Sequence, residues 1–299
     1  MMVDVRTKPA IAFALALASV CCGHLPSRNA RVDPSLGKFI PPDTTMLLDA
    51  HLDRLRNTAV YRKYADQLAP RQQVAGVTPD DVAEALVCSD GKNTEVFTRI
   101  SRSDVGAKLR SSGRVLTHYN GADIYGDGKE SFVLLKPDVA AAGALSSVKS
   151  VIDQSKRGEG GIPAALQPVL ANLPAQDQIQ AAMVGGIPGL EGITADNPNF
   201  GNLVRLAHSI ESASLGVQAD SDIRIHARAD CHSEEDARQV HDALRGFIGL
   251  ARLTAPANRP ELVKIYDAIN VTREKAVVNV TAQFAAQDLD ALSGLLKNR

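Results

Sequence analysis

Between Asp222 and His232 the chain alternates with a period of two. Ile223, Ile225, Ala227, Ala229 and Cys231 are apolar or small, whereas Arg224, His226, Arg228, Asp230 and His232 are polar. The stretch ending at Phe284 repeats the pattern, with Val278, Val280, Ala282 and Phe284 set against Asn279, Thr281 and Gln283. Successive side chains of a strand point to opposite faces, so this alternation predicts antiparallel sheet with one dry face and one wet face. The segment after Ser233 supplies a cover for the dry face: Ala237, Val240, Leu244, Phe247, Ile248 and Ala251 recur at helical spacing. Ser233 with Asp236 three residues on marks the start of that helix. Together these features predict an α+β fold, antiparallel sheets with helices packed on one face.

The same order of elements occurs twice. In the first half, a strand over Thr45–Ala50 precedes a helix carrying Leu52, Leu55, Val60, Tyr64 and Leu68. Thr78-Pro79-Asp80-Asp81 reads as a helix start, with a hydroxyl cap, a proline in the first turn and acids behind it. A hairpin over residues 85–100 turns at Asp90-Gly91-Lys92-Asn93, a short helix follows Ser101, and a second hairpin region turns at Asn120-Gly121. A helix with Leu145, Val148, Val151 and Ile152 closes the half. The second half runs from a strand at Ile179–Val184 through a Gly/Pro-rich loop and a helix near Asn199–Ser209. A hairpin around Asp220-Ser221, the long helix, a hairpin turning at Arg273-Glu274-Lys275 and a helix over Gln287–Leu296 complete it. The reading is two tandem repeats of strand, helix, hairpin, helix, hairpin, helix over 43–155 and 178–299. Pro- and Gly-rich stretches over 23–42 and 156–177 are read as linkers.

The beginning of the chain gives an address. Arg6 and Lys8 precede an apolar run from Ala10 to Val20. That length suits a secretory signal and falls short of the ~20 apolar residues a spanning helix needs. Cys21 and Cys22 follow at once, where bacterial lipoproteins carry their acylated cysteine, but Val20 replaces the small residue expected before it. Lipidation and ordinary cleavage near Gly23 both stay open. Either places the body in the periplasm or at the outer membrane, with no membrane contact beyond a lipid anchor. Cys88 and Cys231 fall on apolar positions of alternating stretches, which predicts buried free thiols.

Chemistry is harder to find. In 299 residues, 33 Lys+Arg meet 34 Asp+Glu and Trp is absent, which leaves neither the charge nor the aromatic platforms for nucleic acid. Ser146-Ser147-Val148-Lys149 matches the Ser-x-x-Lys spacing without its Lys-Thr-Gly companion, so Ser146 reads as a helix-start residue. Gly185-Gly186-Ile187-Pro188-Gly189 lacks phosphate-loop spacing. His226, Cys231, His232 and His241 are close in sequence, but alternation turns Cys231 away from His226 and His232. No catalytic residue, metal or cofactor is expected.

The segments Ala243-Leu244-Arg245-Gly246, Leu250-Ala251-Arg252-Leu253, Ala257 to Leu262 and Tyr266-Asp267-Ala268-Ile269 resemble a family of uncharacterised exported bacterial proteins. The Asp90-Gly91-Lys92 turn and the Leu134–Ile152 segment fit it too. The resemblance implies an exported protein with a duplicated α+β module and brings no activity with it. Three functional classes follow. The first is a non-catalytic envelope protein that binds a partner or supports an assembly. The others are a carrier of a small or apolar ligand and a hydrolase with an unrecognised site. The binding candidates are Arg224, His226 and Arg228, which alternation sets in a row about 6–7 Å apart on the wet face. Two guanidiniums flanking an imidazole suit carboxylates or phosphates. The alternative is a solvated strand face balanced by Asp222 and Asp230.

Changing Leu15 and Leu17 together to Arg is expected to hold the precursor in the cytoplasm, measured by cell fractionation; unchanged export would remove the signal from the reading. Replacing Cys21 and Cys22 with Ser then tells lipidation from secretion by acyl labelling.

Overall fold

A computed structural model describes residues 32–68, 78–101, 104–111, 116–126, 131–185, 206–256 and 258–288. The expected signal, Cys21 and Cys22, the loop expected after Gly185 and the helix expected beyond Asp288 lie outside the described residues.

Among the described residues, twelve strands form one antiparallel sheet. They are β1 (Met46–Ala50), β2 (Val82–Ser89), β3 (Thr94–Ile100), β4 (Leu116–Tyr119), β5 (Ala122–Gly126), β6 (Ser131–Lys136), β7 (Val139–Gly143), β8 (Ile179–Val184), β9 (Ile210–Ala219), β10 (Asp222–Cys231), β11 (Asn270–Glu274) and β12 (Val277–Ala285). Their order across the sheet is β11-β12-β10-β9-β8-β1-β2-β3-β7-β6-β5-β4. Two sheets were expected. Instead β1 and β8 pair antiparallel over five positions, from Met46 opposite Met183 to Ala50 opposite Ile179, and join the halves edge to edge.

The helices among the described residues are α1 (Pro34–Gly37), α2 (Leu52–Arg56), α3 (Ala59–Leu68), α4 (Val105–Ser111), α5 (Leu145–Arg157), α6 (Gln167–Ala171), α7 (Glu234–Leu253) and α8 (Pro260–Asp267). They cover both faces, which corrects the one-sided arrangement. On the face that carries Leu47, residues Leu86, Cys88, Phe97, Val139 and Ala141 pack against Leu36 of α1, Val148 and Ile152 of α5 and Leu170 of α6. On the face that carries Ala50, Ile179, Val217, Ile223, Ile225 and Phe284 meet Leu55, Val60, Tyr64 and Ile265 from α2, α3 and α8. Cys231 and Val278 meet Ala237 and Val240 of α7 there, and Val105 of α4 joins Ile100, Phe132 and Ala140. The cause is in the first-half strands, which are apolar on both sides: Val82-Ala83, Leu86 and Cys88 in β2, and Val139-Ala140-Ala141 in β7, are all buried. Such runs signal a sheet covered on two faces.

Both stretches expected as linkers are packed where they are described. Asp33 caps α1 by accepting the Ser35 N–H at 2.7 Å, and Leu36, Phe39 and Ile40 are buried in the core. Pro and Gly had masked this apolar set. After α5, Gly158 closes the helix in the left-handed region with φ 68°, and the Gly161 N–H donates to the Ile40 carbonyl at 3.1 Å. Gly160 passes so close to the Lys38 carbonyl that a Cβ would collide with it. Leu166, Val169, Leu170 and Leu173 then enter the same core.

Two further expectations change. The helix predicted at Thr78 is a single 3-10 turn, Pro79–Asp81, because pairing with β1 and β3 takes over from Val82. Asp81 accepts from the Thr78 N–H and hydroxyl at 2.9 and 2.8 Å and from Lys108 Nζ at 2.9 Å. α7 starts as expected, with Ser233 Oγ accepting the Asp236 N–H at 3.0 Å. Its apolar stripe is buried only at Ala237 and Val240, and Phe247 is 48% exposed.

If residues 32–42 are structural, Leu36→Ala removes a fully buried side chain and should cost about 2–5 kcal/mol in denaturant unfolding. A cost below about 0.5 kcal/mol, the scale of a surface change, would restore the tether reading.

Candidate functional site

The row read from the sequence exists, on the face of β10 that carries Leu47 across the sheet. Register sets Arg224 opposite Gln218, His226 opposite Gly216 and Arg228 opposite Ser214. The helices packed on β10 and β12, α7 and α8, do so from the other face. None of the three side chains is idle. Arg228 forks onto Asp230, Nη2 to Oδ1 at 2.6 Å and Nε to Oδ2 at 3.1 Å. Arg224 Nη1 lies 3.5 Å from Gln218 Oε1. His226 Nε2 lies 3.1 Å from Asp177 Oδ2, from the segment after α6. That contact depends on Gly216 beneath it, because a Cβ there would strike both the Asp177 carboxylate and the His226 ring. Cys231 packs with Ala237 and Val278 on the opposite face, and both Cys88 and Cys231 are buried free thiols.

A second assembly was missed in the sequence. Asp49 on β1, His51 just after it and Glu84 on β2 are all buried, at 0%, 5% and 1% exposure. His51 Nε2 lies 3.4 Å from Asp49 Oδ2, and Nδ1 lies 3.3 Å from Glu84 Oε2. Arg99 of β3 closes the outer side, with contacts to Glu84 Oε2 at 3.5 Å, Asp33 Oδ2 at 3.1 Å and Asp53 Oδ2 at 3.3 Å. The Asp33 N–H donates to Glu84 Oε1 at 3.1 Å, tying α1 to the cluster. Burial pushes the Asp49 carboxyl well above the usual carboxylate range; His51 opposes that and Glu84 adds to it. Burial works against the charged form of His51, but its hydrogen bond to Glu84 and the fields of Asp49 and Glu84 outweigh this and raise it. The sequence carried only part of the signal, an acid in an otherwise apolar strand; the structure puts Asp49 and Glu84 on the face where Leu47, Leu86 and Cys88 are core residues. A lone acid in an apolar strand face is costly without a partner, so two such acids on paired strands point to a shared counter-charge.

The third feature is a cleft of about 430 Å³ between the start of α5 and the β2–β3 turn. Its walls include Asp43, Asp90, Glu95, Asp153 and Glu159, with Arg157 the one base among the described lining residues. Arg157 Nε is held by Glu159 Oε2 at 2.6 Å. Asp153 accepts from Asn120 Nδ2 and the Tyr119 hydroxyl, both at 2.8 Å, and these bonds hold it below the usual range. Ser146 and Ser147 line the cleft, but Lys149 Nζ lies 4.9 Å over the Tyr119 ring. The lysine therefore faces an aromatic ring, and the Ser-x-x-Lys spacing is that of a helix start.

Glu95 gives this cleft a testable acid. Burial pushes its carboxyl up, more than its hydrogen bond to Ser147 brings it down. A folded-state value above the unfolded one means the ionised form is less favourable in the folded chain, so the penalty grows as pH rises through the carboxylate range. Glu95→Gln should therefore raise Tm at pH 7, and the gain should fade below about pH 4.3, where both states hold the proton. Equal Tm values at pH 7 would contradict the assignment.

No protein-family model matches the chain, and no curated protein matches it. Solved structures do. Crystal form I of TP0453 aligns with a TM-score of 0.52 at 14% identity, covering 89% of this chain and 98% of that one. Crystal form III aligns with a TM-score of 0.50 at 12% identity, over 88% and 99%. What the chain has in common with TP0453 is the fold, mixed α and β around a large antiparallel sheet.

Proposed function

We propose that the protein is an exported, non-catalytic envelope protein that binds a partner along the polar face of β9, β10 and β12. The observation that carries this is the composition of that face: Ser212, Ser214, Gln218, Arg224, Arg228, Asn279, Thr281 and Gln283 share it, while α7 and α8 pack on the other side. Long, regular, polar strands offer hydrogen-bond donors and acceptors over a broad surface, which suits a macromolecular partner better than a small one. Export rests on the n-region and apolar run at the start of the sequence. Among the described residues no helix is long and apolar enough to cross a membrane.

Duplication is part of the same reading. From the central pair outward, one side runs β8, β9, β10, β12, β11 and the other runs β1, β2, β3, β7, β6. In each the third strand pairs with the last strand of its half, after a helix-containing excursion. Two copies of one module, with the first carrying an added β4–β5 hairpin, account for this order.

A second reading has its own observation. The cleft beside α5 is lined by five carboxylates and one arginine, so a carrier role there would favour a small cationic, hydrophilic ligand over an apolar one.

The test of the first reading is the double change Arg224→Gln and Arg228→Gln. Stability should move by no more than about 0.5–1 kcal/mol, since both side chains are partly exposed. Partner recovery by cross-linking in the protein's own cell envelope should fall several-fold. Full recovery with the double variant would make the row ordinary surface.

A further inference from the structure

We infer that Asp49, His51 and Glu84 form a binding site for a divalent transition metal, of the zinc type, at the inner end of β1. Each offers one donor atom, and these atoms all lie within 4.8 Å of one another. The 3.4 Å between His51 Nε2 and Asp49 Oδ2 matches the edge of a tetrahedron with metal–ligand bonds of about 2.0–2.1 Å. Glu84 faces the other ring nitrogen at 3.3 Å, the side from which a carboxylate orients a metal-bound imidazole. Serving as the third donor asks Glu84 to leave Nδ1 and join Asp49 on the Nε2 side, within the 4.8 Å that spans the donor atoms.

One further observation points to an occupant. Asp49 is fully buried, yet neither of its oxygens has a hydrogen bond of normal geometry. Buried carboxylate oxygens ordinarily have partners, and Asp49 is aimed at the imidazole across a gap that suits a cation. The surroundings are acidic as well. Asp33, Asp49, Asp53 and Glu84 place four carboxylates around the cluster, against the guanidiniums of Arg54 and Arg99. The donor set is oxygen and imidazole without thiolate, which favours zinc or manganese over copper(I). A small, enclosed set of three ligands does not meet the six to eight oxygens of calcium.

The experiment uses the full mature chain, stripped with chelator and titrated with Zn²⁺ by calorimetry, with Mg²⁺ and Ca²⁺ as controls. One Zn²⁺ per chain and a rise in Tm are expected, with neither effect from Mg²⁺ or Ca²⁺. His51→Gln should weaken Zn²⁺ binding by more than about tenfold, whereas His226→Gln should leave it unchanged. If His51→Gln fails to fold, Co²⁺ loaded into the unaltered chain decides: a visible d–d band with X-ray absorption showing one imidazole nitrogen and carboxylate oxygens is expected. Failure to take up stoichiometric Zn²⁺, retention of binding by a folded His51→Gln, or a Co²⁺ site of oxygens alone would each overturn the site. None of these results bears on the β9–β10–β12 face, so the two ideas fail separately.

Discussion

The pairing of β1 with β8 is the contact on which the molecule is built. Five residues on each strand meet antiparallel, and through them two half-sheets become one surface of twelve strands. The pair is short, so its strength comes from what each face buries. Leu47 and Ala182 enter the core under α1, α5 and α6, while Ala50 and Ile179 enter the core under α2, α3 and α8. A one-residue slip would exchange those sets and drive Asp49 and Gln180 into the opposite core. Register at the centre is thus fixed from both sides, and α6, just before β8, packs with first-half helices and strands. The halves are not independent bodies joined by a tether.

Against that apolar centre, the charged cluster at the end of β1 needs a reason. Taking carboxylates and an imidazole out of water costs several kcal/mol per ion after relaxation, and mutual attraction repays it only with good geometry. The geometry here is loose, since the contacts of His51 with Glu84 and Asp49 are long, at 3.3 and 3.4 Å. The cluster does tie together elements far apart in sequence: Asp33 before α1, β1, β2 and Arg99 of β3. An apolar set of the same volume would stabilise such a junction at least as well. Polar residues at this place therefore make sense as a site.

How much of this was legible follows from which faces are wet. β10 and β12 alternate cleanly because one face is polar, and the β9–β10 and β11–β12 hairpins and the capped start of α7 could be read directly, whereas the pairing of β10 with β12 could not. The first-half strands carry apolar residues on both faces, so periodicity identified strands there but not the layers on each side. Residues 32–42 and 156–177 hold Pro and Gly at the turns, and their buried Leu36, Phe39, Ile40, Leu166 and Leu170 follow neither period. Composition said tether where tertiary packing made core. The row at Arg224, His226 and Arg228 was visible because alternation sets neighbours on one strand. Asp49, His51 and Glu84 come together only through the β1–β2 register, which one sequence does not display.

The two sites also lie on one structural path. The His51 N–H donates to the Gln178 carbonyl at 2.8 Å, and Arg54 Nη1 donates to the Ala175 carbonyl at 3.0 Å. The next residue back from Gln178 is Asp177, whose carboxylate faces His226 across Gly216. Gln178 itself donates its N–H to Val217, beside that glycine, and its side-chain oxygen accepts the Ala219 N–H at 2.8 Å. Segment 175–178 is therefore a shared wall, held on one side by the cluster and on the other by the strands that carry the row. Its backbone is bonded on both sides, which fixes where Asp177 stands against the strands. Gly216 has no side chain to hold the imidazole in place, so His226 takes its position from Asp177. The two sites thus share a backbone segment while their side chains keep separate partners, Asp49 and Glu84 for His51 and Asp177 for His226.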